Sequence, residues 1–479
     1  MKYLVHKSTS VFLFLILITG PRIYAQHQEI SENPETWKAK KLKENMDSTS
    51  ILGAFKNGHF SGHFRSFSMA TNNANQLTDY YANALGGGLK FETASFHNFQ
   101  FGASGFYIFN IASSDFSKPD SSTNQFNRYE LALFEILNPS NKLNIDRLEE
   151  LYLKYNFNSS HVTLGRQLIN TPFINLQDGR MRPTEVMGIW TEIKSIKHTK
   201  LEGGILTKIS PRSTLEYYNI GESIGIYSTG VNVDGSKSGY TNNLKSDWVG
   251  IIGITRQTNK NLKLQVWNQY VDNIFNTSML QADYIYSLKN SSTILFGVQG
   301  IFQTALNNGG NFDASRTYIN KNARAFTYGA KIALVHAKLE TSINYNRITS
   351  MGRYLMPREW GRDPFFTFMP RERNEGLGDV NAYVVRVNYV FPRVRVKTNL
   401  AMGYFDLPDI ANYQRNKYAI PSYTQINLDF KHEFSGFLKG LEAQLLIAHK
   451  INSTNNKQPK TLFNKVDMTN YSIVFNFHF

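Results

Sequence analysis

The segment Asp178-Gly179-Arg180-Met181-Arg182-Pro183-Thr184-Glu185 sets two arginines between two carboxylates. A guanidinium stays charged at every accessible pH and offers a planar fork of donors that matches a carboxylate. Such a cluster does one of two things. It recognises an anionic solute and orients dipolar ones in its field, or its arginines pair with Asp178 and Glu185 to pin a loop. A second, looser set is Arg353, Arg358, Arg362, Arg371 and Arg373. Other chemistries find no support in the residues. No His-Glu-x-x-His occurs, and the chain has no Cys, so thiolate metal sites, cysteine nucleophiles and disulfides are excluded. No His has an obvious Ser and carboxylate constellation. No cofactor and no metal are expected, and the chain is not expected to be an enzyme.

The elements that position these residues are strands. From Phe60 onward the 3.6-residue period is almost absent, and segments of period-2 alternation take its place. Phe326, Tyr328, Ala330, Ile332 and Leu334 alternate with Thr327, Gly329, Lys331 and Ala333. Tyr383, Val385, Val387, Tyr389 and Phe391 alternate with Ala382, Val384, Arg386 and Asn388. Eighteen such segments are predicted: 59–69, 84–95, 98–111, 146–157, 161–168, 186–195, 198–209, 247–256, 260–271, 275–287, 291–304, 325–335, 338–348, 379–391, 395–406, 422–432, 438–449 and 469–479. Gly86-Gly87-Gly88 lies mid-strand, where small residues ease curvature, and does not cradle phosphate.

The composition suits a membrane-embedded sheet. The chain has 479 residues, 14% of them aromatic and only 19% charged, with a net charge of +15. Beyond residue 25 no apolar run approaches the roughly 18 residues of a membrane helix. The first 25 residues read as a secretory signal peptide: Lys2, His6 and Lys7, then the apolar run Val11–Ile18, then Ile23-Tyr24-Ala25 before the expected cleavage. Export makes nucleic-acid binding an unsuitable reading of the basic charge. Residues 26–58 are polar and read as a loose periplasmic arm.

The connections decide the architecture. Every second one is very short, as at Ser159-Ser160, His336-Ala337 and Pro392-Arg393, whereas the others are mostly long and polar. Short turns at one end and long loops at the other mark a transmembrane antiparallel β-barrel of about 18 strands over residues 59–479. Its short turns face the periplasm and its long loops the exterior. The chain ends on Phe479, with Phe477 and Phe475 on one face; such an end looks like the signal read by the outer-membrane insertion machinery.

The stretch His161-Val162-Thr163-Leu164-Gly165-Arg166-Gln167-Leu168, followed by Gly179-Arg180-Met181-Arg182-Pro183, resembles the third hairpin of the OprD-type substrate-selective porins, in a Bacteroidetes-like branch. Pro357-Arg358-Glu359-Trp360-Gly361-Arg362-Asp363-Pro364-Phe365 resembles a late external loop of that family. The resemblance covers about residues 55–479 and leaves out the 26–58 arm. It implies an eighteen-stranded porin whose third external loop (169–185) folds inward, and a row of basic side chains that guides carboxylate-bearing solutes.

Parity gives a basic lining independently. A charge facing lipid at mid-membrane costs about 2–4 kcal/mol, so mid-strand charges must face the lumen. This assigns Arg65, Lys154, Lys263, Lys331, Arg386, Lys397 and Lys431 to the lumen, with Glu150, Glu340, Asp429 and Glu442; a β-bulge would invert parity beyond it. Arg358, Arg362, Arg371 and Arg373 are the pore-mouth candidates. The expected function is passive diffusion of small carboxylate-bearing or zwitterionic solutes by a monomer or trimer in contact with outer-membrane lipid and lipopolysaccharide. The alternative is a barrel without a channel, either a lipolytic enzyme or an adhesion barrel.

Overall fold

A computed structural model describes residues 36–37, 48–177, 179–289 and 291–479. The expected signal peptide, most of the arm and Asp178 lie outside the described residues. After a short helix α1 (Ile51–Lys56) come strands β1 (His59–Asn72), β2 (Tyr80–Glu92), β3 (Phe99–Ser113), β4 (Ile145–Phe157), β5 (Ser160–Gln167), β6 (Glu185–Ile193), β7 (Thr199–Ser210), β8 (Tyr218–Asn219), β9 (Val249–Gln257) and β10 (Leu262–Val271). They continue as β11 (Phe275–Ser287), β12 (Ser292–Ala305), β13 (Arg324–His336), β14 (Leu339–Ile348), β15 (Val380–Phe391), β16 (Val396–Asp406), β17 (Tyr423–Glu433), β18 (Leu441–Asn452) and β19 (Met468–His478). The two-residue β8 only clips a loop to β7, and β7 pairs directly with β9. The remaining eighteen strands form the expected all-β antiparallel barrel.

Closure comes from the pairing of β19 with β1, in the register His63↔His478 and Phe64↔Phe477. The terminal residue completes the seam: Phe479 N–H donates to the Gly62 carbonyl (3.1 Å) and Gly62 N–H to the Phe479 carbonyl (2.9 Å). A Cβ on Gly62 would lie 2.0 Å from the tip of the Phe479 ring, so the ring packs over the glycine and would have to move aside for any larger residue. A closed barrel leaves no unpaired edge, which hydrocarbon would penalise at every backbone group.

The alternation read from sequence sorts side chains between two solvents. On β15, Tyr383 and Val385 are half exposed on the outer face while Val384 and Arg386 are buried. Phe475, Phe477 and Phe479 also point outward. Most predicted strands agree to within a few residues. The predicted 84–95 is displaced; β2 starts at Tyr80, because pairing with β1 runs on through Thr71↔Tyr80.

The long connections do not stay outside the barrel. The segments 168–184 and 349–379 carry fully buried Phe173, Ile174, Trp360 and Met369. These side chains join barrel residues such as Val186, Trp190 and Trp267 in one apolar cluster. The core of this protein is therefore built largely from loops packed within the wall.

Candidate functional site

Backbone taken into a lumen needs partners for its carbonyls and N–H groups, and the wall supplies them. Arg386 donates to the carbonyls of Phe366 and Phe368, both at 2.6 Å. Gln425 and Asn427 donate to the Pro370 carbonyl at 2.7 and 3.1 Å. Gln303 donates to the Leu355 carbonyl and Gln299 to the Pro364 carbonyl, at 2.7 and 2.9 Å. The inward polar residues of these strands hold the 349–379 loop. Arg386 faces the lumen as parity required, but the loop covers it.

The 168–184 loop is fastened to its neighbour and to the wall. Asn175 donates to the Arg362 carbonyl (3.0 Å) and accepts from the Arg362 N–H (3.0 Å), while Thr184 donates to the Glu359 carbonyl (2.7 Å). Glu359 in turn accepts from the N–H groups of Gly225 and Tyr227, at 3.0 and 2.8 Å, which brings in the 211–248 segment.

Arg182 is the main wall anchor. Its Nε donates to Glu149 at 2.5 Å, its Nη2 donates to the second oxygen of the same carboxylate, and its ring neighbours are Phe106 (4.3 Å) and Trp37 (4.8 Å). Arg147 meets Glu149 at 3.0 Å, Glu185 at 3.5 Å and the Pro183 carbonyl at 2.9 Å. Arg182 thus pairs with a carboxylate on β4, and Glu185 is held by Arg147 and the Tyr217 hydroxyl (2.8 Å).

Glu149 carries no signal in a plain period-2 reading. Register shifts between Ala103 and Gly105, so that Leu148 and Leu151 both face outward while Glu149 and Glu150 both face inward. The sequence mark of this bulge is two apolar residues three apart flanking an adjacent Glu pair.

Arg180 and Arg371 occupy the centre. A small chamber is lined by, among others, Arg65, Arg180, Arg362, Arg371 and Lys431. A second small space, among the external loops, is lined by Arg128, Arg180, Arg212, Arg358, Arg371 and Arg373 with Glu372. Arg180 and Arg371 line both. Both residues have left-handed backbone, φ +53° and +72°, which costs a non-glycine residue about 1–2 kcal/mol. Arg371 is oriented from the wall by Asn470 and Ser472, each at 2.8 Å.

The predicted basic lining divides. Arg65 and Lys431 line the chamber; Arg65 donates to Asn476 at 2.8 Å and Lys431 stands 4.0 Å from Asp429. Lys154, Lys263 and Lys397 point inward but are ion-paired, with Glu92 (2.6 Å), Asp283 (3.4 Å) and Glu433 (2.7 Å). They lie toward the periplasmic strand ends, away from the arginine pair. Lys331 faces inward between Gly297 and Asn344. Among the pore-mouth candidates, Arg358 is paired with Glu375 and stands 3.6 Å over Tyr418, Arg362 stands over Phe368 at 4.4 Å, and Arg373 donates to the Gly361 carbonyl.

Electrostatics favour anions at the outer space. Burial, reinforced by the charge of nearby Asp363, pushes the Glu372 carboxyl up to about 8. Among the described residues, the one carboxylate lining this arginine-rich space is thereby kept largely neutral at neutral pH. Burial also lowers Lys417 to about 7, in a cage of Tyr240, Tyr318 and Tyr418.

Comparison with known proteins agrees with this architecture. Residues 149–356 match the model of a family described as outer membrane porin, OprD family. No curated protein sequence matches. Solved structures match over nearly the whole barrel. OpdK of Pseudomonas aeruginosa, crystallised with vanillate, aligns at 13% identity and TM-score 0.68, covering 89% of this chain and 100% of that one. OccD3 (OpdP) of the same organism aligns at 14% identity and TM-score 0.67, covering 91% and 94%. OccAB1 of Acinetobacter baumannii aligns at 14% identity and TM-score 0.66, covering 91% and 99%.

Proposed function

Taking the chain as an outer-membrane barrel of the OprD porin family, matched over residues 149–356, we propose that it conducts small hydrophilic solutes bearing a carboxylate, zwitterions included, down their gradient. The observation that carries this is the pair Arg180 and Arg371, shared by two spaces that are each lined by further arginines. A guanidinium that lines both spaces can add charge-assisted donors to an anion as it sheds water. The arginines on either side offer the next partner, so no single site holds the solute too long, which conduction requires. Loops pinned to the wall keep the opening narrow, and selectivity follows from charge and size together. Arg182, bound to Glu149, positions the loop that carries Arg180; it does not itself meet the solute.

The test is single-channel recording of refolded mature protein in a planar bilayer, with reversal potential under a salt gradient. Wild type is expected to conduct and to prefer anions. One unit charge at about 5 Å in water is worth about 0.8 kcal/mol, so Arg180→Ala or Arg371→Ala is expected to lower the anion-over-cation permeability ratio about fourfold. A correctly folded barrel without conductance overturns the proposal, and unchanged selectivity in both variants removes the arginine pair from it.

A further inference from the structure

The periplasmic rim of the barrel is uneven. Most of its turns are short and polar, as at Asn158-Ser159 and Ala337-Lys338. The turn between β17 and β18 is longer and carries a short 3-10 helix, Gly436–Leu438, whose Phe437 is wholly exposed. Leu438 beside it is exposed too, as are Phe391 and Val394 at the neighbouring β15–β16 turn. The two turns touch: Glu433 N–H donates to the Arg395 carbonyl at 3.3 Å.

Backbone hydrogen bonds fix this arrangement. Phe434 N–H donates to the Leu441 carbonyl (3.0 Å), Lys439 N–H to the Gly436 carbonyl (3.1 Å) and His478 N–H to the Gly440 carbonyl (3.1 Å). The Phe437 ring is thus held out on an ordered turn. Single exposed apolar side chains are ordinary on a surface, but four on two joined turns form a patch.

The same turns carry Arg393, Arg395 and Lys439, all exposed. None of the three meets a carboxylate among the described residues; Glu433, next to them in the chain, pairs with Lys397 at 2.7 Å. The cations Lys197, Lys260 and Lys289 are instead spread over three other turns. Toward the membrane, Tyr389, Phe391 and Phe430 face outward on β15 and β17, and the first two rings pack at 4.5 Å. Aromatic girdles of this kind mark the two water boundaries of a membrane barrel. The turns just beyond these rings lie at headgroup depth.

Exposed rings and aliphatics beside unpaired cations suit a leaflet surface, where apolar side chains enter among the acyl chains and cations meet phosphates. A guanidinium binds phosphate through two parallel donors. We propose that the turns 392–395 and 434–440 form a docking site for anionic phospholipid headgroups of the periplasmic leaflet. Phe437 and Leu438 insert into the leaflet, and Arg393, Arg395 and Lys439 hold the phosphates. The site anchors the barrel on its β15–β18 side and does not depend on what the lumen conducts.

Native mass spectrometry of the refolded mature chain in detergent, with phosphatidylglycerol or phosphatidylcholine added, counts the lipids retained. Wild type is expected to retain phosphatidylglycerol in preference. Arg393→Gln/Arg395→Gln/Lys439→Gln is expected to weaken that retention about tenfold or more. Lys197→Gln/Lys260→Gln/Lys289→Gln removes the same charge from scattered turns and is expected to leave retention within about twofold of wild type. The chain has no Cys, so Phe437→Cys accepts a single nitroxide. In phosphatidylethanolamine–phosphatidylglycerol vesicles its relaxation is expected to respond to oxygen more than to a water-soluble nickel chelate, and that of Asn259→Cys to the chelate. Heat-modifiable gel migration verifies that each variant is folded. Equal retention of both lipids by wild type, or equal loss in the two triple variants, overturns the headgroup site. A nitroxide at position 437 as accessible to nickel as one at 259 overturns the insertion. Barrels that pair through this patch in place of retaining lipid assign it to a second copy and overturn the proposal.

Discussion

Replacing Glu149 by Gln tests how the constriction is held. Glu149 is fully buried and binds Arg182 through both carboxylate oxygens, with Arg147 at 3.0 Å on the same group. Gln keeps the shape and one acceptor but removes the charge that two buried guanidiniums share. Removing one partner of a buried ion pair costs about 3–5 kcal/mol. Arg147 keeps Glu185 at 3.5 Å, so the loss falls mainly on Arg182 and belongs at the low end. About 3 kcal/mol corresponds to roughly 150-fold more frequent local opening, at 1.36 kcal/mol per factor of ten. Hydrogen exchange of peptides spanning 168–184, read by mass spectrometry, measures this directly, and the recorded current should become noisier. Glu150→Gln is the control: Glu150 pairs with Lys90 at 3.0 Å and not with the loop. Exchange that rises less than about threefold in Glu149→Gln, or equally in both variants, refutes the claim that this pair holds the loop.

Three further outcomes follow from the same structure. The Glu372 pKa is raised from 4.5 to about 8, so its folded form favours the proton; loop stability is full below 4.5 and is lost as pH rises through 8. Reversal potentials between pH 6 and 9 should show anion preference falling as Glu372 ionises, and Glu372→Gln should flatten the curve. Lys417 is lowered from 10.5 to about 7, so the fold favours its neutral form; that contribution is absent below pH 7 and grows up to 10.5. Limited proteolysis within 407–422 should accordingly be faster at pH 6 than at pH 9 in wild type, and pH-independent in Lys417→Met. Gly62→Ala would place a Cβ 2.0 Å from the Phe479 ring at the barrel seam; overpacking of this kind costs about 1–3 kcal/mol and should lower the fraction of heat-modifiable barrel.

The barrel was legible from residues alone, because two solvents act on every strand. Lipid outside and polar groups inside impose a period of two, and Tyr383, Val385 and Tyr389 against Val384, Arg386 and Asn388 record it in a single strand. Arg386, which parity sends inward, is buried against the 349–379 loop, where a charge escapes hydrocarbon. Counting the alternating segments then gave the strand number, and loop asymmetry gave the barrel.

What the inward charges do was decided only by the tertiary structure. Sequence gives the direction in which Arg386 points, but not that the 349–379 loop comes down to meet it and takes its donors for the carbonyls of Phe366 and Phe368. It gives Arg180 and Arg182 as equals, two residues apart. The fold separates them: Arg182 is bound to Glu149, which a bulge turned inward, and Arg180 lines the same two spaces as Arg371, 191 positions away in the chain. Local alternation is set by neighbours along one strand and survives in any window of ten residues. Loop burial is set by which distant carbonyls meet which wall donors, and no periodicity encodes a partner on the other side of a lumen.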